Sequence, residues 1–220
     1  MTTNYCYDYA DRLVSGTGND LGGITYDSHG NMTHIGTPTS TSSETYFFYD
    51  SSDRNSGMEQ YDANGNGSAI YYDRDATGRV VARYGSSVSN WNFTSRGDLY
   101  YSYAGNGSLV RDANWNIKEK TLQLAGGLML TLKPQETVTA NKKQYSANSV
   151  LGRTLLTTNA SGTNTSTGIG PASTFAYDPF GNMVAASARP SNTSDGSYGY
   201  GGTLQKMTET NLALAPIQMG

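Results

Sequence analysis

Apolar and polar residues alternate in short runs along the chain, and Gly, Asp, Asn, Ser and Thr interrupt the runs every few residues. This is the pattern of short half-buried strands joined by tight turns, and long helices are not predicted. The clearest alternating stretch is Lys118–Leu132, which runs on both sides of Gly126-Gly127 and predicts a large hairpin.

A second pattern lies over the first. Tyr-Asp, two residues, Gly, then Asn or Arg, then an apolar residue recurs, best at Tyr26-Asp27-Ser28-His29-Gly30-Asn31-Met32 and Tyr177-Asp178-Pro179-Phe180-Gly181-Asn182-Met183. Asp replaces Gly in Tyr7-Asp8-Tyr9-Ala10-Asp11-Arg12-Leu13 and in Tyr49-Asp50-Ser51-Ser52-Asp53-Arg54. Asp75-Ala76-Thr77-Gly78-Arg79-Val80 keeps the turn, Tyr103–Leu109 is a looser copy, and Arg111–Ile117 is degenerate. Tyr7, Tyr26, Tyr49 and Tyr72 are spaced by 19, 23 and 23 residues. Each unit reads as a hairpin turn. Asp bonds backbone N–H groups two residues on, and Gly supplies the positive φ that closes the turn. Asp is tolerated in the Gly position because it visits left-handed backbone more readily than most residues. The residues expected to carry this architecture are Tyr26, Asp27, Gly30, Asp75, Gly78, Tyr177, Asp178 and Gly181. No hairpin of this size buries its face alone, so the units are expected to stack side by side into a long curled sheet. The fold class expected is all-β, built of repeated antiparallel hairpins in a single region over 1–220, with loops at 159–173 and 189–196.

Composition sharpens this reading. Leu, Ile, Val and Phe make up only about 15% of the 220 residues, a level associated with disorder. The 17 Tyr compensate, because their large rings pack while the hydroxyl stays wet. The net charge of −3 and a pI near 5.3, without a basic cluster, argue against a nucleic-acid partner. No apolar run approaches the ~20 residues of a membrane-spanning helix. No signal peptide is visible at the N-terminus, and the single cysteine, Cys6, excludes an internal disulfide and a cysteine zinc cluster.

The Tyr-Asp units resemble the YD repeats of RHS-repeat proteins, whose relatives include the shell proteins of insecticidal toxin complexes and the teneurins. The likeness covers most of the chain. Lys118-Glu119-Lys120-Thr121-Leu122 with Gly126-Gly127, then Tyr145 to Gly162, then Tyr177-Asp178-Pro179-Phe180-Gly181 follow the segment order of bacterial members. Tyr198–Met207 and Ile217-Gln218-Met219-Gly220 are similar to the run-up to that family's core-end motif, so the chain is expected to be a piece ending just before it. The resemblance implies part of a shell-like β-solenoid, a hollow wall around a C-terminal toxin or effector. It implies partners in the rest of that shell and its enclosed cargo, and a secreted or cell-surface setting within a larger bacterial protein. Two departures stand out. Leu151-Gly152-Arg153 occupies the place of a His-Gly-Asp element, and Thr157-Thr158-Asn159 that of Thr-Thr-Asp.

Candidate chemistry is sparse. His29 and His34 are the only histidines, and nothing in the sequence pairs either with Cys6 as a nucleophile and base. Asp62–Asp73 has the Asp-x-Asn-x-Asn-Gly spacing of a calcium loop, but it ends in Asp rather than Glu and also reads as a repeat turn. The pairs Asp8/Asp11 and Asp50/Asp53 sit in turns, where Asp is expected for backbone bonding. Neither a catalytic group, a cofactor nor a metal ligand is assigned on this pattern, and the function expected is structural and non-enzymatic. The alternative is a cell-surface carbohydrate-binding or adhesion module, in which Trp91, Trp115 or exposed Tyr residues stack on sugar rings.

Overall fold

The computed structural model describes residues 4–16, 23–36, 44–105, 107–149, 154–161 and 173–174. Tyr177, Asp178 and Gly181 lie outside the described residues, as do 189–196 and most of 159–173. The chain divides into two compact units, Met1–Asp98 and Leu99–Gly220. Among the described residues every regular element is a strand except two short 3₁₀ turns, Ala125–Gly127 and Thr139–Lys142.

In the first unit β1 (Tyr5–Tyr7) and β2 (Leu13–Gly16) form one antiparallel hairpin. There follow β3 (Thr25–Tyr26), β4 (Met32–Ile35), β5 (Glu44–Tyr49), β6 (Asn55–Tyr61), β7 (Gly67–Arg74), β8 (Val80–Ser89) and β9 (Asn92–Arg96). Each pairs antiparallel with the next. The strands are rich in Tyr, Phe, Thr and Val, which fit a pleated and half-buried surface. One core cluster gathers Tyr61, Ala69 and Val88, with Tyr46 and Tyr71 packed against it, and Ile24, Met58, Ile70, Val80 and Ala82 are buried as well.

The second unit repeats the meander with β10 (Leu99–Ala104), β11 (Gly107–Asp112), β12 (Ile117–Gln123), β13 (Leu128–Leu132), β14 (Lys143–Asn148), β15 (Thr154–Asn159) and β16 (Ser173–Thr174). The alternating run around Gly126-Gly127 is the hairpin of β12 and β13. Its faces are disposed unusually. Ser108, Thr121, Thr131, Gln144 and Asn159 are mutual register partners across five strands, and all are buried. The opposite face carries Leu122, Leu128 and Tyr145, which are 37%, 42% and 36% exposed. The buried side of this sheet is mixed, with Val110 and Met129 lying beside the polar row, and its leucine side is out.

Six turns share one geometry, those begun by Asp8, Asp27, Asp50, Asp62, Asp75 and Asp112. In each, the first Asp N–H donates to the carbonyl four residues on, and the fourth residue's N–H donates back to the Asp carbonyl. The fourth residue always has positive φ: Asp11 57°, Gly30 91°, Asp53 57°, Gly65 72°, Gly78 89° and Trp115 63°. The segment Arg111–Ile117, degenerate by sequence, is therefore a complete copy with Trp in the glycine position. A left-handed non-glycine residue costs roughly 1–2 kcal/mol, so the surrounding bonds hold Trp115 there. The looser copy at Tyr103 is corrected in the other direction. Ala104 stands where Asp is needed, and that hairpin closes more tightly, with Ala104 and Gly107 as register partners. Five of the six turns also carry a one-residue slip on the returning strand, just beyond the pairs Tyr7–Leu13, Tyr26–Met32, Tyr49–Asn55, Arg74–Val80 and Arg111–Ile117. Such a bulge strengthens the local twist and re-aims the next side chains. The Asp62 turn, with Tyr61 opposite Gly67, has no slip.

Gly65 is fixed twice over. Besides its positive φ, a Cβ there would lie 2.5 Å from the Trp91 indole. At Gly30 the backbone is equally left-handed, but nothing lies within 4 Å. Gly30→Ala is therefore expected to lose about 1 kcal/mol, the backbone cost alone. Gly65→Ala should lose a further ~1–3 kcal/mol from overpacking. Paired thermal or urea unfolding curves would show the difference; equal losses would mean the indole swings aside freely.

Candidate functional site

Those residues singled out by sequence that the structure describes lie for the most part in hairpin turns. In each turn the Asp carboxylate satisfies the backbone it interrupts. Asp50 Oδ1 accepts from the N–H of Ser52 at 2.8 Å and of Arg54 at 3.1 Å, while Oδ2 accepts from Arg54 Nε at 2.9 Å. Asp27 does the same with His29 N–H, Asn31 N–H and Asn31 Nδ2 at 2.9, 2.9 and 3.0 Å. The Asn or Arg of the sequence pattern is thus the partner of the second carboxylate oxygen. Asp75 uses Thr77 N–H, Arg79 N–H and Arg79 Nε at 2.9, 3.0 and 3.1 Å, and the Thr77 hydroxyl adds a bond of 2.6 Å.

The tyrosine before the Asp has a separate task. Tyr26 donates its hydroxyl to the Leu13 carbonyl at 2.8 Å, and Tyr49 donates to the Met32 carbonyl at 2.9 Å. Each acceptor is the first residue after the preceding turn, so each turn is tied to the one before it. At the next step Arg74 takes the tyrosine's place, and its Nη2 donates to the Asn55 carbonyl at 2.8 Å. Further ties run between the same turns. The Arg12 guanidinium sits over the Tyr26 ring, 4.7 Å from its centroid. Asp53 Oδ1 lies 2.7 Å from His29 Nδ1 and accepts from Asn31 Nδ2 at 2.9 Å. The Asp8, Asp27, Asp50 and Asp75 turns, each following an odd-numbered strand, form a bonded ladder along one end of the strands.

Electrostatics follow from these bonds. Backbone hydrogen bonds from Arg12 and Arg54 hold Asp8 and Asp50 below the usual carboxylate range, and the Asn66 N–H does so for Asp62. The Asn31 side chain is the main cause at Asp27. The Thr77 hydroxyl leads at Asp75, whose pKa is held down to about 2. At Asp112 burial pushes upward but is outweighed by the Asn116 and Asn114 N–H groups. His29 is raised by its hydrogen bond to Asp53 and by the Asp53 and Asp27 charges. Inside the sheet, burial first and Glu59 second raise Tyr61 well above an ordinary phenol.

The other sequence candidates are placed separately. Asp62 spends its carboxylate on its own turn, accepting from Asn64 and Asn66 N–H at 2.8 and 2.9 Å. Asp73 lies along β7 and accepts from the Tyr84 hydroxyl at 2.6 Å. The two ends of the calcium spacing therefore do not converge, and no cluster of three or more His, Cys, Asp and Glu side chains suited to a metal exists among the described residues. His34 faces the Gly23 carbonyl at 2.7 Å and Glu44 at 3.1 Å, and Cys6 is exposed on β1. Asp11 and Asp53 hold the left-handed slot while Asp8 and Asp50 hold the carboxylate position, so each pair divides one turn's labour. No helix among the described residues is long and apolar enough to cross a membrane.

Two outcomes test the ladder. Tyr49→Phe is expected to cost about 0.5–1.5 kcal/mol by deleting one inter-turn bond, seen as a lower urea midpoint with an unchanged slope. The depressed Asp groups contribute stability above their ordinary value of 3.8 that is lost as pH falls through their lower folded-state values. His29, raised above 6.5, contributes fully below that value and loses its contribution as pH rises through its folded-state pKa. The melting temperature should therefore fall steeply below about pH 4 and slightly above neutrality. Asp75→Asn should flatten the acid limb and Asp53→Asn the alkaline one.

Compared with known proteins, the chain matches no family model and no curated sequence.

Proposed function

We propose that the chain is a non-enzymatic wall segment of an RHS-like shell, in which repeated hairpins form a long curled sheet around a polypeptide cargo. The observation that carries this reading is the ladder of tyrosine hydroxyl to preceding-turn carbonyl, Tyr26 to Leu13 and Tyr49 to Met32. A bond that ties each repeat only to its predecessor suits a structure that grows by addition, as repeat walls do. The outward Leu122, Leu128 and Tyr145 support a cargo-facing role, since exposed apolar surface of this kind marks sites of protein contact. The mechanism is steric: a wall keeps its cargo from solvent, proteases and the producing cell. Partners on this reading are the rest of the shell and the enclosed toxin or effector, in a secreted or cell-surface protein.

Light scattering on the chain as it elutes from a sizing column tests the proposal. Mass should rise with concentration, and a reduced, carboxymethylated polypeptide should co-elute with the chain. Leu122→Lys with Leu128→Lys should weaken that co-elution without unfolding the sheet. A concentration-independent monomer that ignores denatured polypeptide would overturn the reading.

A further inference from the structure

Trp115 occupies the fourth position of the Asp112 turn, the slot held by Gly or Asp in the other turns, at φ 63°. Glycine would take this conformation without strain, so the indole is kept against backbone preference. It is not kept to fill a core, because Trp115 is 66% exposed. One ring face lies nearly parallel on Tyr100, with centroids 5.3 Å apart and planes 12° apart. Tyr100 projects from β10, a strand paired along its length with β11, and so props the indole on a rigid base. The chain's other tryptophan differs. Trp91 also has positive φ and is 59% exposed, but its backbone N–H donates to the Gly65 carbonyl at 2.9 Å, and its ring lies against Gly65 and tilted 46° to Tyr61. Both indoles are exposed, and what distinguishes Trp115 is its near-parallel stack, 12° from the Tyr100 plane against 46° for Trp91 on Tyr61.

The surroundings of the platform select its ligand. Asn114 and Asn116 are exposed on the same turn, and the Gln135 side chain reaches Asp112 from the connection between β13 and β14. The Asp112 carboxylate is already engaged, accepting from Asn114 and Asn116 N–H at 3.0 Å each and from Asn116 Nδ2 at 3.4 Å. It is therefore a poor counter-ion for a cation, and Arg111, the register partner of both Tyr100 and Ile117, adds positive charge nearby. A flat indole ringed by neutral amides suits an uncharged, polyhydroxylated ring. We propose that Trp115 on Tyr100 is a saccharide-binding platform for β-linked glucose or N-acetylglucosamine units. The axial C–H bonds of such a pyranose form a flat apolar face that stacks on the indole. The amides of Asn114 and Gln135 bond its hydroxyls. The site does not depend on the shell reading, because a wall and a separate module would present it equally.

The isotope-labelled chain gives two indole N–H signals, one for each of its 2 tryptophans. Titration with cellotetraose, and separately with chitotetraose, should shift the Trp115 signal saturably with at least one of them and leave that of Trp91 in place. Trp115→Gly should abolish the calorimetric binding signal while leaving the melting temperature equal or higher, since Gly is what this slot takes elsewhere. Asn114→Ala should weaken binding by about threefold or more with unchanged melting, because Ala10 holds the same position in the Asp8 turn. Absence of a saturable shift with both tetrasaccharides would overturn the proposal. So would choline shifting Trp115 at lower concentration than either sugar, which would mark a cation site. If Trp115→Gly does not fold, an unchanged affinity in Asn114→Ala overturns it instead.

Discussion

The structure depends on a carboxylate placed where the backbone reverses. A hairpin turn leaves N–H groups pointing inward with no strand to receive them, and exposed turns otherwise leave these to water. At Asp8, Asp27, Asp50, Asp62, Asp75 and Asp112 one oxygen takes two such groups at once, from the second and fourth following residues. Because the acceptor is ionised, these bonds are stronger than neutral ones. The turn is closed from within, so what fills its remaining positions is free to vary. Ala, His, Ser, Asn and Thr all stand two residues after the Asp, and Gly, Asp and Trp all stand three after it.

That freedom explains how a chain so poor in aliphatic residues holds a sheet. Among the described residues of the first unit the buried apolar side chains are Ile24, Met58, Tyr61, Ala69, Ile70, Val80, Ala82 and Val88, a set that includes two alanines and a tyrosine. Much of the order comes instead from directional bonds between neighbours: strand ladders, turn carboxylates and the hydroxyl-to-carbonyl ties. Tyrosine serves where leucine would not, because its ring covers the adjacent strand while its hydroxyl ends on a backbone carbonyl. Arg74 shows which property matters. It lacks the ring but reaches the equivalent carbonyl of Asn55, and the Tyr72 ring lies 5.8 Å from its guanidinium.

The turns were legible in the sequence because their chemistry is local. An Asp, a partner four residues on and a left-handed slot between them are all within one short window, as in Asp27, Gly30 and Asn31 or Asp75, Gly78 and Arg79. The Trp115 turn was hidden by a residue that propensity forbids in that slot, although Asp112 and Asn116 kept the spacing of the rest. The ties between turns were not legible, since Tyr26 and Leu13, or His29 and Asp53, meet only once register is set. Register is a long-range property. A one-residue slip after Tyr26 or Tyr49 moves every later side chain to the other face.

The same limit explains why alternation in Lys118–Leu132 predicted a hairpin without predicting its inner face. Thr and Leu both suit strands, so period alone assigns neither side to the interior. The structure buries Thr121 and Thr131 and turns Leu122 and Leu128 outward. In the polar row of Ser108, Thr121, Thr131, Gln144 and Asn159 the Thr121 hydroxyl is buried without a hydrogen-bond partner, so burial of this face is favoured by Val110 and Met129, which lie on it, rather than by the row itself. An outward leucine face gains only from a partner. The two arrangements are therefore coupled: burying Met129 and Thr121 on one face turns Leu128 and Leu122 to the other, because side chains alternate along each strand.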